Sequence, residues 1–311
     1  MTAEIPPDFW DRVETEKLKY VIYGDTDSLY LSIPEVERDN TKEYVEASEE
    51  LADEINDIII GSMNDLILPK MNCEGHNKTF FKSELVMSSI LFTDVKKKYC
   101  FKEIANEGKI HEEPIIRYTG ISVVRSNTAE WTKDFIREIV EDLALNSDVK
   151  TKKEIQVRMQ EIARKYNNSL HSNIDDLNFS YIGVPCKWGN TKYKRDTAEL
   201  TGMKLYNTIF KADYFKENTS GLKIPIKIKD PNNFLELTKT LKFNNEFCIH
   251  NTPVDKLSFI VVPIYHVKEE LKPVLDKFGI EIDKEVAWDK LVDTALDRII
   301  KCIKESYGLI K

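Results

Sequence analysis

With 311 residues, 41% of them hydrophobic and 10% aromatic, the chain has apolar mass for one large core or two modest ones, which excludes a disordered protein. A formal net charge of −8 excludes a protein that coats nucleic acid through overall basicity, so any basic surface has to be local. No apolar run reaches the roughly eighteen residues that span a bilayer, and the opening MTAEIPPDFWDR resembles neither a secretory leader nor an Arg-rich transit peptide; a soluble cytoplasmic chain is expected.

Leu18 to Tyr23 and Ser28 to Ile33 are rich in β-branched and aromatic residues and flank Gly24-Asp25-Thr26-Asp27, which predicts a β-hairpin with two acids at its tip. Asp39 to Leu68 places Val45, Leu51, Ile55, Ile58 and Ile59 near helical spacing, giving a long acidic-faced helix that Pro69 should stop. Strands are expected over Thr79 to Phe92, Lys98 to Ile104 and Ile115 to Val124, with a loop around Asn106-Glu107-Gly108. From Thr128 the pattern turns helical. One helix runs over Thr128 to Leu145, capped by Ser126 or Asn127, and a second over Val149 to Tyr166. A third covers Thr197 to Phe210, strands follow over Leu222 to Ile228 and Leu257 to Ile264, and an amphipathic helix occupies Val286 to Ile303 through Leu291, Ala295 and Ile299. The fold class read from this order is α+β, an antiparallel sheet with a packed helix followed by a mainly helical region. Cys73, Cys100, Cys186, Cys248 and Cys302 stand singly, with no CxxC pair, which argues against a zinc site or a disulfide framework.

Two carboxylates one residue apart at a strand turn repel each other and lose hydration, a cost usually offset by a cation. Mg2+ suits them, since it prefers oxygen ligands and typically takes one or two carboxylates plus phosphate oxygens. A bare Asp-x-Asp is more often an exposed turn, but apolar strands on either side predict a buried hairpin that presents its acids at an edge. The string Tyr23-Gly24-Asp25-Thr26-Asp27-Ser28 resembles motif C of family B DNA polymerases, commonly YGDTDS, at all six letters. Asp25, Ser28, Leu29, Tyr30 and Ser32 also fit D-x-x-S-L-Y-x-S, similar to motif A of that family. Motif A, however, has Pro where Leu31 stands and is followed by Lys-x-x-x-Asn-Ser-x-Tyr-Gly, to which Lys165–His171 is a poor match.

Lys96-Lys97-Lys98-Tyr99 would in isolation be a solvated loop edge. It is similar to the family's Lys-x-Tyr motif, which lies in the palm against the primer-template, with Lys97 and Tyr99 at the two defining positions. A lysine neutralises phosphates and a tyrosine offers a ring and a hydroxyl. Tyr118 to Ser126 is similar to the strand leading from palm to thumb, and Leu205-Tyr206-Asn207 looks like the thumb of T-even phage polymerases. The preceding Gly183 to Arg195 either tracks a duplex backbone or is a solvated loop over a buried Trp188.

On this resemblance residues 1–125 are the C-terminal half of a palm and residues 126–311 the thumb. Asp25 and Asp27 are then the catalytic, metal-binding acids. Tyr23, Thr26, Lys97, Lys98, Tyr99, Arg125, Lys187, Lys192, Lys194 and Arg195 meet primer-template DNA. Motif A, the nucleotide-binding helix, the fingers and the exonuclease acids have no counterpart in the sequence. The resemblance therefore implies an N-terminal polymerase subunit carrying motifs A and B, with or without the exonuclease, that completes a two-ion Mg2+ or Mn2+ site for the deoxynucleoside triphosphate. The favoured expectation is one subunit of a split phage-type polymerase in the host cytoplasm, a reading that the Met1 start supports. A gene fragment and a non-catalytic nucleic-acid-binding remnant or interaction module stay open. The tail Ser306 to Lys311 does not resemble a clamp-binding peptide.

Overall fold

The computed structural model describes residues 21–24, 28–32, 41–78, 80, 82–145, 151–189, 197–240, 257–265 and 268–310. Helices and antiparallel sheets alternate along the chain, an α+β architecture as expected. The chain separates into two compact units, Met1–Ser89 with Phe101–Arg117, and Ile90–Cys100 with Tyr118–Lys311. Among the described residues no helix is long and apolar enough to cross a membrane.

In the first unit, β1 (Val21–Gly24) and β2 (Leu29–Leu31) pair antiparallel, Val21 with Leu31, Tyr23 with Tyr30 and Gly24 with Leu29. The register shifts between Val21 and Tyr23, so Ile22 is the extra residue of a bulge. Helix α1 (Thr41–Ser62) buries Tyr44 and Val45 near its start, and these pack with Val86, Ile104 and Ala105 as a small core. Pro69 does not stop this helix as expected. A π-turn over Met63–Ile67, in which the Leu68 N–H reaches the Met63 carbonyl, shifts the hydrogen-bond ladder. Pro69 then falls at the start of a last turn, Leu68–Lys70, where its missing N–H is not needed.

Strands β3 (Leu85–Phe92), β4 (Tyr99–Asn106) and β5 (Lys109–Thr119) lie in that order in one sheet. Their short connections permit only antiparallel neighbours. β3 begins later than the expected Thr79. At the β4–β5 turn Glu107 and Gly108 both take positive φ, 48° and 75°, the geometry that matches strand twist in a two-residue hairpin. β5 starts before the expected Ile115 and stops short of Val124, because Gly120 adopts φ 64° and sends the chain into a short 3-10 turn, Ser122–Val124.

The second unit is built on α2 (Glu130–Val140), which continues as a π-turn through Leu145, and on α3 (Lys152–Asp175). Neither Ser126 nor Asn127 caps α2; the N-cap position is Ala129, which has no side-chain bond to offer. Thr151 and Glu154 form a capping box on α3. That helix outlasts the expected end at Tyr166 because Leu170 and Ile174 extend its buried stripe. The rings of Trp131, Phe135, Tyr166 and Trp288 cluster at the heart of the unit, with Phe135 stacked on Tyr166 at 4.4 Å.

This region also holds a sheet of four strands, two of them unexpected. β6 (Val184–Lys187), β7 (Ser220–Ile228) and β8 (Phe259–Val262) pair antiparallel in that order, and β9 (Ile280–Ile282) joins the far end of β7. A short turn of helix at Phe179–Ile182 and helices α4 (Ala198–Ile209), α5 (Pro231–Thr240), α6 (Lys268–Lys277) and α7 (Lys284–Ser306) also belong to the unit.

Candidate nucleic-acid interface

The acid hairpin is set by its register. Pairing ends at Gly24 opposite Leu29, and an edge-on contact between Tyr23 and Tyr30, 5.3 Å between ring centres, holds the cross-strand pair just before it. Asp25, Thr26 and Asp27 lie outside the described residues. The hairpin is not buried as expected: Ile22 and Leu29 are 47% and 46% exposed. A two-stranded ribbon covers little surface by itself, so apolar residues do not imply burial there. Among the described residues no group of three or more His, Cys, Asp or Glu side chains is placed to hold a metal ion.

The lysine-tyrosine segment forms the tip of the β3–β4 hairpin, in the second unit. Thr93 closes this tip. Its Oγ1 donates to the Lys98 carbonyl at 2.8 Å and accepts from the Val95 N–H at 3.4 Å, while the Thr93 N–H donates to the Lys98 carbonyl at 3.0 Å. Lys97 takes a left-handed backbone, φ 62°, which for a residue with a Cβ persists only where surrounding contacts hold it. Lys96 and Lys97 are exposed, Lys98 and Tyr99 half-buried, and the Tyr99 ring leans on Phe92 at 5.8 Å.

Gly120 is pressed against this tip. A Cβ on it would stand 2.3 Å from the Lys97 carbonyl oxygen and 3.2 Å from Lys98 Cγ. The Gly120 carbonyl in turn accepts from Arg125 Nη2 at 3.5 Å, and Arg125 is exposed. Tyr118 anchors the segment on its other side, donating to Glu141 Oε1 at 3.0 Å. Burial, reinforced by the Glu141 charge, raises the Tyr118 hydroxyl above its ordinary range, so it stays a donor. The structure thus gathers Lys97, Lys98, Tyr99 and Arg125 around one glycine. Gly120 and Thr93 were not among the expected site residues, although an isolated Gly inside a strand pattern is a signal of close backbone approach.

Lys187 ends β6, exposed and paired with Ser220, and Trp188 beside it is half-buried rather than buried. Lys192, Lys194 and Arg195 lie outside the described residues. A cleft of about 400 Å³ opens elsewhere in the second unit, lined by Asp134, Arg137, Glu138, Glu141, Asp142 and Tyr166. Its carboxylates repel phosphate and are held by Tyr181, Arg137, Tyr166, Lys165, Tyr118 and Arg158, so it is a packing feature.

A search of curated proteins returns no match. The family model for DNA polymerase family B matches residues 3–220. That match runs through the acid hairpin, the lysine-tyrosine tip, the Gly120 turn and the start of β7, well over half of the sequence. The chain belongs to DNA polymerase family B.

Proposed function

We propose that this chain supplies the acid-bearing hairpin of a two-ion nucleotidyl-transfer site, and the basic tip that holds primer-template DNA, as the C-terminal palm and thumb of a phage-type DNA-directed DNA polymerase. One observation carries the reading. The β1–β2 pairing ends at Gly24 opposite Leu29, so the connection is Asp25 to Ser28 and both acids of the six-letter string fall in it. Their oxygen donors suit Mg2+ or Mn2+. Such ions, when bound, offset the charge that builds on a transferred phosphoryl group. Asp25 and Asp27 would hold them, Tyr23 braces the strand against Tyr30, and Lys97, Lys98 and Arg125 neutralise phosphates of the duplex while the Tyr99 ring packs on sugar.

Two acids on one hairpin leave a two-ion site without the carboxylate of an opposing strand. The sequence also has no Lys-x-x-x-Asn-Ser-x-Tyr-Gly string to hold the deoxynucleoside triphosphate. The chemistry therefore needs an N-terminal polymerase half that carries these parts. Primer extension by the purified chain should be absent, should appear when a polypeptide carrying both motifs is added, and should fall about 100-fold or more in Asp27→Ala, the scale of losing a charge-stabilising group. Extension by the isolated chain, or a fully active mutant pair, would reduce the chain to a non-catalytic binding module. Duplex contact is tested separately: Lys97→Ala should lower the slope of log affinity against log salt by about one unit.

A further inference from the structure

We infer that Gly120 is a positioning residue that holds the lysine-tyrosine tip and Arg125 together as a single phosphate-binding surface. The inference rests on the reading that Lys97 contacts the duplex. Gly120 meets two separate demands. Its φ of 64° is left-handed, a demand that Asn also tolerates. Its hydrogen-only Cα lies where a Cβ would be 2.3 Å from the Lys97 carbonyl oxygen, and that demand no residue with a side chain meets.

The contact matters because of what it touches. Lys97 is itself left-handed at φ 62°, set between the Lys98 carbonyl that Thr93 holds and the close approach of Gly120 to its own carbonyl. Displacing the Lys97 peptide re-aims the Lys97 side chain and the neighbouring Lys98 and Tyr99. The same displacement moves the Gly120 carbonyl that receives Arg125 Nη2. One glycine therefore fixes cations from two segments that are distant in sequence, and a tip fixed before binding loses less freedom when it meets DNA.

The test is titration of the full 311-residue chain with a labelled primer-template across a salt series. Lys97→Ala and Arg125→Ala should each lower the salt slope by about one unit, and Gly120→Ala by about two. Gly120→Asn should lower it by about two as well, because Asn relieves the backbone demand and keeps the Cβ. A residue that only stabilised the fold would shift the melting temperature without moving the slope. If Asn restores the wild-type slope, the glycine serves the turn alone and the inference is overturned. Should both glycine variants fail to fold, Thr93→Val removes the Oγ1 bonds to Lys98 and Val95 at nearly constant shape. That variant should lower the slope by about one unit, and a wild-type slope alongside a reduced one in Lys97→Ala overturns the inference. A wild-type slope in Lys97→Ala itself overturns the duplex reading beneath it.

Discussion

Glu103 is 2% exposed, on β4, and its carboxylate is held by His111 Nε2 at 2.7 Å and Arg117 Nε at 3.1 Å. Burial opposes its ionisation, but the two hydrogen bonds and the Arg117 charge outweigh burial and keep its pKa below the usual glutamate range. A carboxyl depressed in the folded state adds stability above its unfolded pKa of about 4.3 and loses it as pH falls through the folded value. The urea midpoint of the wild type should therefore fall on the acid side of about pH 4. Glu103→Gln should be less stable at pH 7 by about 1.5 kcal/mol, the low end for a charged hydrogen bond because Arg117 is half exposed, with a flatter acid limb; parallel pH profiles for the two proteins would contradict this. Gly24 offers a different test. An added Cβ would meet Leu29 Cδ2 at 3.6 Å, an ordinary contact, so Gly24→Ala should fold with stability within about 1 kcal/mol of wild type. It should nevertheless slow primer extension in the completed enzyme, since it adds bulk beside Asp25; unchanged extension would show that nothing approaches Gly24 closely. At this scale the acid string could be proposed from sequence alone because its letters are consecutive. Glu103 and Gly120 could not, since each depends on a partner chosen by the fold.

Among the elements, α4 lies on β8 so closely at Gly202 that a Cβ would stand 3.0 Å from Val261 Cγ2 and 3.1 Å from the Val261 nitrogen. In an exposed helix Gly→Ala gains up to about 1 kcal/mol. Here the clash with backbone should reverse the sign, and Gly202→Ala is expected to lose about 1–3 kcal/mol, read as a lower urea midpoint; a raised midpoint would mean that the sheet yields. Helix α7 was legible through its apolar stripe and α4 in its extent, and the structure adds what starts them: Thr197 and Asp283 cap them, their side chains accepting from the Leu200 and Val286 N–H groups, so α7 begins before the expected Val286. β6 was hidden in a string that reads as a basic loop with Pro185 inside it. It is a strand because β7 supplies a partner from Ser220 to Lys223, and an edge strand tolerates the proline. α6 was hidden by Pro273 in its interior, a residue that local propensity counts against a helix. The misjudged ends of α1 and β5 have the same origin: local letters were weighed without the π-turn or the Gly120 contact that decides them.

For the molecule as a whole, apolar surface is unevenly covered. The first unit leaves Ile22, Leu29, Ile58, Leu66 and Ile67 between 44% and 55% exposed, whereas the second buries Trp131, Phe135, Ile136, Leu143 and Leu170 at 1% or less. A ribbon as short as β1–β2 is marginal without a neighbour. Its amides at Val21–Gly24 and Leu29–Leu31 should exchange quickly in the isolated chain, while α2 and α3 stay protected. Adding the N-terminal polymerase half should slow the hairpin amides, with an interface of more than about 2,000 Å². Strong protection of the hairpin in a monodisperse monomer, unchanged by that addition, would sink the proposed assembly.

The ring cluster has an optical consequence. Trp131, Trp188 and Trp288 belong to the second unit, and Trp131 is fully buried with Trp288 5.9 Å away. Emission from these three rings reports the second unit, and a melt followed through them tracks the collapse of that unit. The described strands of the acid hairpin hold no tryptophan, so Tyr30→Trp would give the hairpin a signal of its own.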